Sequence, residues 1–214
     1  MRQETTPRTG GRVLVDQLAI HGVERVFCVP GESYLAALDA LHDTPEIALT
    51  VCRQEGGAAM MADAHAKLTG QPGVCFVTRG PGACNAASGV HVAFQDSTPM
   101  LLLIGQVGRS MRDREAFQEI DFRRMYGELA KWVAQVDDPA RLPEYLSRAF
   151  HTARQGRPGP VVLALPEDVL SAPVATPDAR PVRPAAGYPG AAEMAELRDR
   201  LSRAERPLAI LGGG

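Results

Sequence analysis

Short apolar runs alternate with longer segments of helical periodicity along the first 170 residues. The runs lack apolar–polar alternation, so they predict six strands covered on both faces. They span residues 25–29, 47–51, 74–78, 100–104, 132–136 and 160–165. Helices are predicted before the first strand, over residues 34–41, 55–68 and 83–94, and around residues 142–150. This alternation predicts a doubly wound α/β fold, in which a mainly parallel six-stranded sheet carries helices on both faces.

The composition along the chain predicts four segments. Residues 1–11 have no apolar core and are expected to be a flexible tail, and residues 12–170 form the α/β domain. Residues 171–190 are rich in proline and alanine, which predicts an extended linker. Residues 191–214 hold a helical pattern and then a strand-like run, 207–211, that ends in three glycines. That pattern is typical of the start of a second α/β domain, which the chain would carry in truncated form.

The overall composition excludes several classes of partner. The chain of 214 residues is 45% hydrophobic and 22% charged, as in an ordinary globular protein. Its net charge of -2, without a basic patch, argues against nucleic acid. The longest apolar stretch, residues 100–104, is too short to span a bilayer. The four cysteines have no zinc-binding spacing and predict reduced, buried thiols in a cytoplasmic protein.

One carboxylate, Glu55, lies where the second predicted strand passes into a helix whose first turn has almost no side chains. Gly56-Gly57 and the two alanines that follow leave room for a flat ligand against the backbone. In parallel sheets, ligands bind outside the carboxyl ends of the strands. Pro30-Gly31, Gly80-Pro81-Gly82 and the loop after Gly105 are predicted at that same edge. The alternative is that Glu55 only complements the dipole of its helix.

The turn Gly80-Pro81-Gly82 lies between a predicted strand and a helix, where nucleotide-binding motifs occur. A Rossmann fingerprint needs a third glycine where this chain has Asn85. A P-loop needs a Lys-Ser/Thr pair, which does not follow this turn. Pro81 also lacks the N–H group that a phosphate would use. Pyrophosphate binding by a nucleotide-dependent oxidoreductase is therefore disfavoured. Two interpretations remain, a close approach to a flat ligand with Asn85 as a polar contact, or a tight structural turn.

Six motifs occur together in one order and spacing. They are Phe27-Cys28-Val29-Pro30-Gly31, Arg53-Gln54-Glu55-Gly56-Gly57-Ala58, Val77-Thr78-Arg79-Gly80-Pro81-Gly82-Ala83-Cys84-Asn85, Gly105-Gln106-Val107, Ala116-Phe117-Gln118-Glu119 and Gly156-Arg157-Pro158-Gly159-Pro160-Val161. In this arrangement they resemble the N-terminal pyrimidine-binding domain of thiamine diphosphate enzymes of the acetolactate synthase type. The resemblance covers residues 12–169, which is nearly the whole predicted domain.

The resemblance implies a role for each matched residue. Glu55 would hydrogen-bond N1′ of the cofactor's aminopyrimidine and favour its imino tautomer, which can take the proton from C2 of the thiazolium. The implied catalytic residues are Glu55 and Gln118, and the implied cofactor-binding residues are Pro30, Gly31, Glu55, Thr78, Pro81, Gly82, Asn85 and Phe117. A carboxyl group against Gly, Ala and Met is poorly solvated, which would help it to hold or share a proton. The implied reaction is decarboxylation or carboligation of a 2-keto acid.

Two departures from the family pattern limit what the chain could do alone. Gln54 stands where the family often has His, although the carboxylate itself is kept. The diphosphate- and Mg²⁺-binding domain, with its Gly-Asp-Gly…Asn signature, is absent from these residues, and any FAD would need a central domain. We therefore expect a fragment of a longer enzyme, or a half-enzyme completed by a partner chain, that forms a homodimer or larger homo-oligomer. The alternative is a non-catalytic interaction module, in which helices 55–66 and 83–94 form a dimer surface.

Overall fold

The computed structural model describes residues 6–185 and 187–210, which contain eight strands and eight α-helices. The strands are β1 (Arg8–Thr9), β2 (Arg25–Cys28), β3 (Ala48–Val51), β4 (Gly73–Thr78), β5 (Met100–Gln106), β6 (Trp132–Gln135), β7 (Pro160–Pro166) and β8 (Pro173–Val174). The α-helices are α1 (Gly10–Ile20), α2 (Leu35–His42), α3 (Glu55–Thr69), α4 (Arg79–Gln95), α5 (Phe122–Tyr126), α6 (Leu142–Arg154), α7 (Glu167–Ser171) and α8 (Ala191–Arg203). Three short 3-10 helices span Glu32–Tyr34, Arg109–Met111 and Pro139–Arg141.

Six strands form one parallel sheet in the order β3-β2-β4-β5-β7-β6. Helices α1, α2, α6 and α7 pack on one face and α3, α4 and α5 on the other, so the predicted doubly wound fold is confirmed. Each of the central strands β5 and β7 has seven consecutive buried residues. Their sequences are continuous apolar runs because both of their faces are covered by helices.

Helices α3 and α4 approach each other closely through small side chains. A Cβ built at Gly89 would lie 2.5 Å from the Cβ of Ala59. Ala58, Ala62 and Ala86 are fully buried in the same layer. Because both helices begin at the carboxyl edge of the sheet, this close packing brings their first turns together.

The predicted flexible tail is shorter than expected. Its last residues form β1 and the start of α1, and β1 pairs with β8, which lies in the predicted linker. The pairing is held by Arg8, whose guanidinium forms ion pairs with Asp16 and Asp178. Thr9 caps α1 by accepting a hydrogen bond from the backbone of Arg12. Residues 1–5 lie outside the described part of the chain.

Other differences from the predicted elements have local causes. Helix α4 begins four residues early, because Pro81 fits a first helical turn, where its missing N–H would have no partner in any case. Helix α2 begins one residue later than predicted, because Ser33 and Tyr34 belong to a 3-10 turn in which the Ser33 hydroxyl is hydrogen-bonded to Thr78. Helix α7 was not predicted.

The C-terminal helix is confirmed, but the strand predicted after it is wrong over residues 207–210. These residues are irregular and exposed, with no neighbouring strand to supply hydrogen bonds. Leu211 and the glycines after it lie outside the described residues. Within residues 6–185 and 187–210, no helix combines the length and the apolar character needed to cross a bilayer.

Candidate functional site

The turns that follow β2 and β4 meet at the carboxyl edge of the sheet, together with the last residues of β5. A Cβ built at Gly31 would lie 2.4 Å from the Cβ of Thr78, and one built at Gly105 would lie 2.1 Å from the hydroxyl oxygen of Ser33. The Ser33 and Thr78 hydroxyls are hydrogen-bonded at 2.7 Å. These backbones therefore approach more closely than any side chain at the two glycines would allow.

Glu55 lies at this edge as the first residue of α3, and it is partly buried. The side-chain oxygen of Gln54 caps the helix by accepting a hydrogen bond from the Gly57 N–H at 2.8 Å. Asn85, in α4, donates a hydrogen bond to Oε2 of Glu55 at 2.9 Å. A Cβ built at Gly82 would lie 3.6 Å from Oε1. One carboxylate oxygen is thus held by α4, while the other faces the space left by a glycine.

The corner Phe117-Gln118 rests on the start of α4. The Gly80 N–H donates to the carbonyl oxygen of Gln118 at 2.9 Å, and a Cβ at Gly80 would lie 2.9 Å from that same oxygen. Gln118 adopts a left-handed backbone conformation with φ of 64°. The Phe117 side chain is 69% exposed. The corner therefore projects from the edge with its backbone fixed and its aromatic ring accessible.

The sequence interpretation missed Arg79, which is buried at the first residue of α4. Its terminal nitrogens form ion pairs with Glu32 at 2.7 Å and with Glu167 at 3.0 Å. Its guanidinium carbon lies 5.8 Å from the centre of the Phe117 ring. The printed sequence has no signal for this burial, because both acidic partners are distant along the chain.

The side chains below this edge are uncharged at neutral pH. Burial, with a smaller effect from Cys52, raises the pKa of the Cys28 thiol to about 11. Burial likewise raises the pKa of Cys75 and of the Tyr34 phenol. The Tyr34 ring stacks on Phe76, with ring centres 4.0 Å apart. The prediction of four buried thiols is wrong for Cys84, which is exposed on α4, and Cys52 is only partly buried.

A separate cavity of about 590 Å³ lies beyond the ends of β5, β6 and β7. None of the site residues predicted from the sequence lines it. Among its charged groups, Arg112 pairs with Asp137, and the Glu119 carboxylate accepts a hydrogen bond from the backbone N–H of Asp113. This cavity is therefore distinct from the edge that holds Glu55.

Comparison with known proteins gives the family. The family described as thiamine pyrophosphate enzyme, N-terminal TPP binding domain, matches residues 8–125, which is more than half of the chain. The chain belongs to this family. TPP, thiamine pyrophosphate, is the same compound as thiamine diphosphate, so the resemblance seen in the sequence is confirmed.

Three relatives of this thiamine pyrophosphate enzyme domain are acetolactate synthases. The Arthrospira platensis protein is 38% identical over 218 residues, covering 96% of this chain and 37% of that protein. The isozyme 3 large subunit of Escherichia coli (strain K12) is 37% identical over 214 residues, covering 96% and 37%. The large subunit of Lactococcus lactis subsp. lactis (strain IL1403) is 36% identical over 216 residues, covering 97% and 37%. The chain thus spans little more than a third of the length of these relatives.

The structure brings most of the predicted site residues to one edge of this family domain. Contacts join Gly31 to Thr78, Glu55 to Asn85 and Gly82, and the Phe117-Gln118 corner to the start of α4. Pro30 and Pro81 are exposed at the same edge. The part that each residue plays toward a ligand stays a prediction.

Proposed function

We propose that this chain is the cofactor-activating half of a thiamine diphosphate-dependent 2-keto acid decarboxylase or carboligase of the acetolactate synthase type. The observation that carries the proposal is the position of Glu55. Its carboxylate lies at the carboxyl edge of a parallel sheet, with one oxygen bonded to Asn85 and the other beside Gly82.

The residues at this edge fit the aminopyrimidine of thiamine diphosphate. A Cβ at Gly82 would lie 3.2 Å from Val77 and 3.6 Å from Glu55 Oε1, so the glycine keeps side-chain atoms away from the oxygen that a flat ring would approach. The thiol and phenol groups below the edge carry no charge at neutral pH that would compete with the carboxylate. The Asn85 amide can keep the carboxylate oriented in either of its protonation states, because it only donates to one oxygen.

In the proposed chemistry, the cofactor and the residues of this chain have different roles. When bound, thiamine diphosphate supplies carbanion chemistry at C2 of its thiazolium ring. With the cofactor bound, Glu55 would hold and release a proton at the aminopyrimidine, and Asn85 would fix the orientation of the carboxylate. By the family resemblance, the neutral amide of Gln118 and the ring of Phe117 would face the reacting carbon. The chain's part is therefore placement and proton control.

The proposal extends to what completes the site. Val51, at the end of β3, and Met60 and Met61, in α3, are 62%, 39% and 40% exposed, so these apolar side chains do not belong to the core of this domain. They support a homodimer or larger assembly, or a partner chain, that covers the edge and supplies the diphosphate- and Mg²⁺-binding half. We place the assembly in the cytoplasm and propose a 2-keto acid as its substrate. FAD, in the complete enzyme, remains compatible with this proposal.

Replacement of Glu55 in the complete holoenzyme tests the proposal. We expect Glu55→Gln to slow exchange of the C2 proton of bound thiamine diphosphate by about 100-fold or more, since a group that transfers a proton is lost. Exchange is measured by NMR after acid quenching of the enzyme in deuterated buffer. Glu24→Gln, at an exposed position next to the opposite edge of the sheet, is the control and should exchange at the wild-type rate. A wild-type rate in Glu55→Gln would refute the role of this carboxylate.

A further inference from the structure

Arg79 combines three unfavourable features in one residue. Its side chain is buried, its backbone is left-handed with φ of 40°, and its Nε has no hydrogen-bond partner among the described residues. Its acidic partners Glu32 and Glu167 are exposed, and ion pairs with exposed partners add little to stability. Unusual backbone conformations of this kind concentrate at functional sites, where the surrounding structure maintains them. These features point to a role at the site rather than to a role in stability alone.

The contacts of Arg79 join three separate segments of the sheet edge. Glu32 belongs to the turn after β2, Glu167 is the first residue of α7 after β7, and Phe117 lies in the loop after β5. The two acids occupy both terminal nitrogens of the guanidinium. The two carboxylates together offset the single charge of the guanidinium, which makes Arg79 a weak attractor for an anionic substrate and favours a geometric role.

Helix α7 holds the same loop at its other end. The Asp168 carboxylate accepts the Arg109 backbone N–H at 3.0 Å and its Nε at 2.7 Å. Burial alone would raise the pKa of Asp168, but these hydrogen bonds outweigh it and the pKa is lowered. Two consecutive residues of α7 thus hold the loop. Asp168 contacts its start, and Glu167 pairs with Arg79, which in turn lies against Phe117.

Glu55 is held by a different set of contacts. The Gln54 cap and the Asn85 amide fix it, and neither residue contacts Arg79 in the hydrogen bonds and ion pairs of the described chain. Both sets of contacts involve α4, but the side chains that hold the carboxylate differ from the one that contacts the Phe117-Gln118 corner.

We infer that Arg79 is a positioning residue for substrate use, which holds the Phe117-Gln118 corner at a fixed distance from the Glu55 carboxylate. The inference rests on the proposed function, in which Gln118 faces the reacting carbon. Loss of the Arg79 contacts lets the corner move. The affinity for the keto acid and its turnover then fall, while proton transfer by Glu55 is unchanged.

The test compares two readouts in the complete holoenzyme, with pyruvate as the probe. The variant is Arg79→Lys, which keeps the charge but cannot bridge two carboxylates with a planar fork. We expect its KM for pyruvate to rise about tenfold, as a misplaced contact would cause, and its C2 proton exchange to stay within about twofold of wild type. Arg114→Lys is the control, because Arg114 is exposed in the same loop and forms no ion pair among the described residues. Both of its readouts should match wild type.

A second measurement needs no cofactor and no activity. Amide hydrogen exchange of the apo enzyme should be faster over residues 108–118 in Arg79→Lys than in wild type, and unchanged over β5. Glu167→Gln, at a partly exposed position, weakens the same clamp without altering the arginine. It should shift both the pyruvate KM and the loop exchange in the same direction, by smaller factors.

Each outcome decides between the two proposals. An unchanged pyruvate KM, or unchanged exchange over residues 108–118, overturns the inference, and so does an equal loss of C2 exchange and pyruvate turnover. A wild-type enzyme without C2 exchange, or a Glu55→Gln variant that exchanges normally, refutes the proposed function instead. The amide exchange of the loop still tests Arg79 in that case.

Discussion

At the scale of the residue, exposure separates cysteines that look alike in the sequence. Cys28 ends β2 inside the core, whereas Cys84 lies on the outer face of α4. Burial raises the pKa of Cys28 to about 11, so this thiol is protonated at neutral pH. The folded state then loses stability as the pH rises from 9.0, the ordinary pKa of the thiol, through about 11. The thiolate is the form that reacts with alkylating reagents.

Alkylation of the native chain by iodoacetamide at pH 7.5 should therefore modify Cys84 and leave Cys28 and Cys75 unmodified. Peptide mass spectrometry of timed samples measures the order of reaction. Cys84→Ser should remove the fast phase, which identifies the thiol that reacts. Modification of Cys28 at a rate close to that of Cys84 would show that β2 is open to solvent.

Single residues of the site differ in how far the sequence could predict them. Glu55 and Asn85 both follow apolar strands within one or two helical turns, so a parallel sheet alone places them at one edge. The burial of Arg79 depends on Glu32 and Glu167, which lie far from it in the chain, and no local pattern records that. The exposure of Cys84 was missed because α4 has small residues on both its buried and its outer faces.

At the scale of the element, strands with two covered faces were predictable and short paired segments were not. Strands β4, β5 and β7 are continuous apolar runs because helices cover them on both sides. Strand β1 has two residues and forms only because β8 and Asp178, more than 160 residues away, pair with it. The sequence of β1 alone therefore predicts a flexible tail rather than a strand.

The close packing of α3 on α4 gives a prediction for Gly89. We expect Gly89→Ala to lower the free energy of unfolding by about 1–3 kcal/mol, because its Cβ would lie 2.5 Å from the Cβ of Ala59 and the helices would have to separate. The midpoint of thermal unfolding should fall by about 2–4 °C per kcal/mol in a chain of this size. Circular dichroism at 222 nm measures it.

Gly57→Ala is the matched control for Gly89→Ala. Gly57 also lies in a helix, but a Cβ there would meet only the Gln54 side chain, at 4.0 Å. The better helix propensity of alanine should leave this variant as stable as wild type, or more stable by up to about 1 kcal/mol. Equal destabilisation by the two substitutions would mean that the α3–α4 contact does not limit side-chain size.

At the scale of the whole molecule, the described chain is one packed α/β domain followed by a helix that packs on nothing. Every residue of α8 is exposed, including the apolar positions Met194, Leu197 and Leu201. Their spacing of three and four residues places them on one face of the helix. A helix of this length is marginal in water without such a face being covered.

This arrangement predicts that α8 contributes almost nothing to the stability of the domain. In the 214-residue chain, Leu197→Ala should change the free energy of unfolding by less than about 0.5 kcal/mol, since Leu197 is 50% exposed and packs against neither core cluster of the described residues. The same substitution at Leu146, which is fully buried in α6, should cost about 2–5 kcal/mol through the cavity that it leaves. Chemical denaturation followed by circular dichroism gives both values. A cost for Leu197→Ala comparable to that for Leu146→Ala would show that α8 packs against the domain in solution. The apolar face of α8 would then belong to the fold of this chain rather than to a contact with another domain or chain.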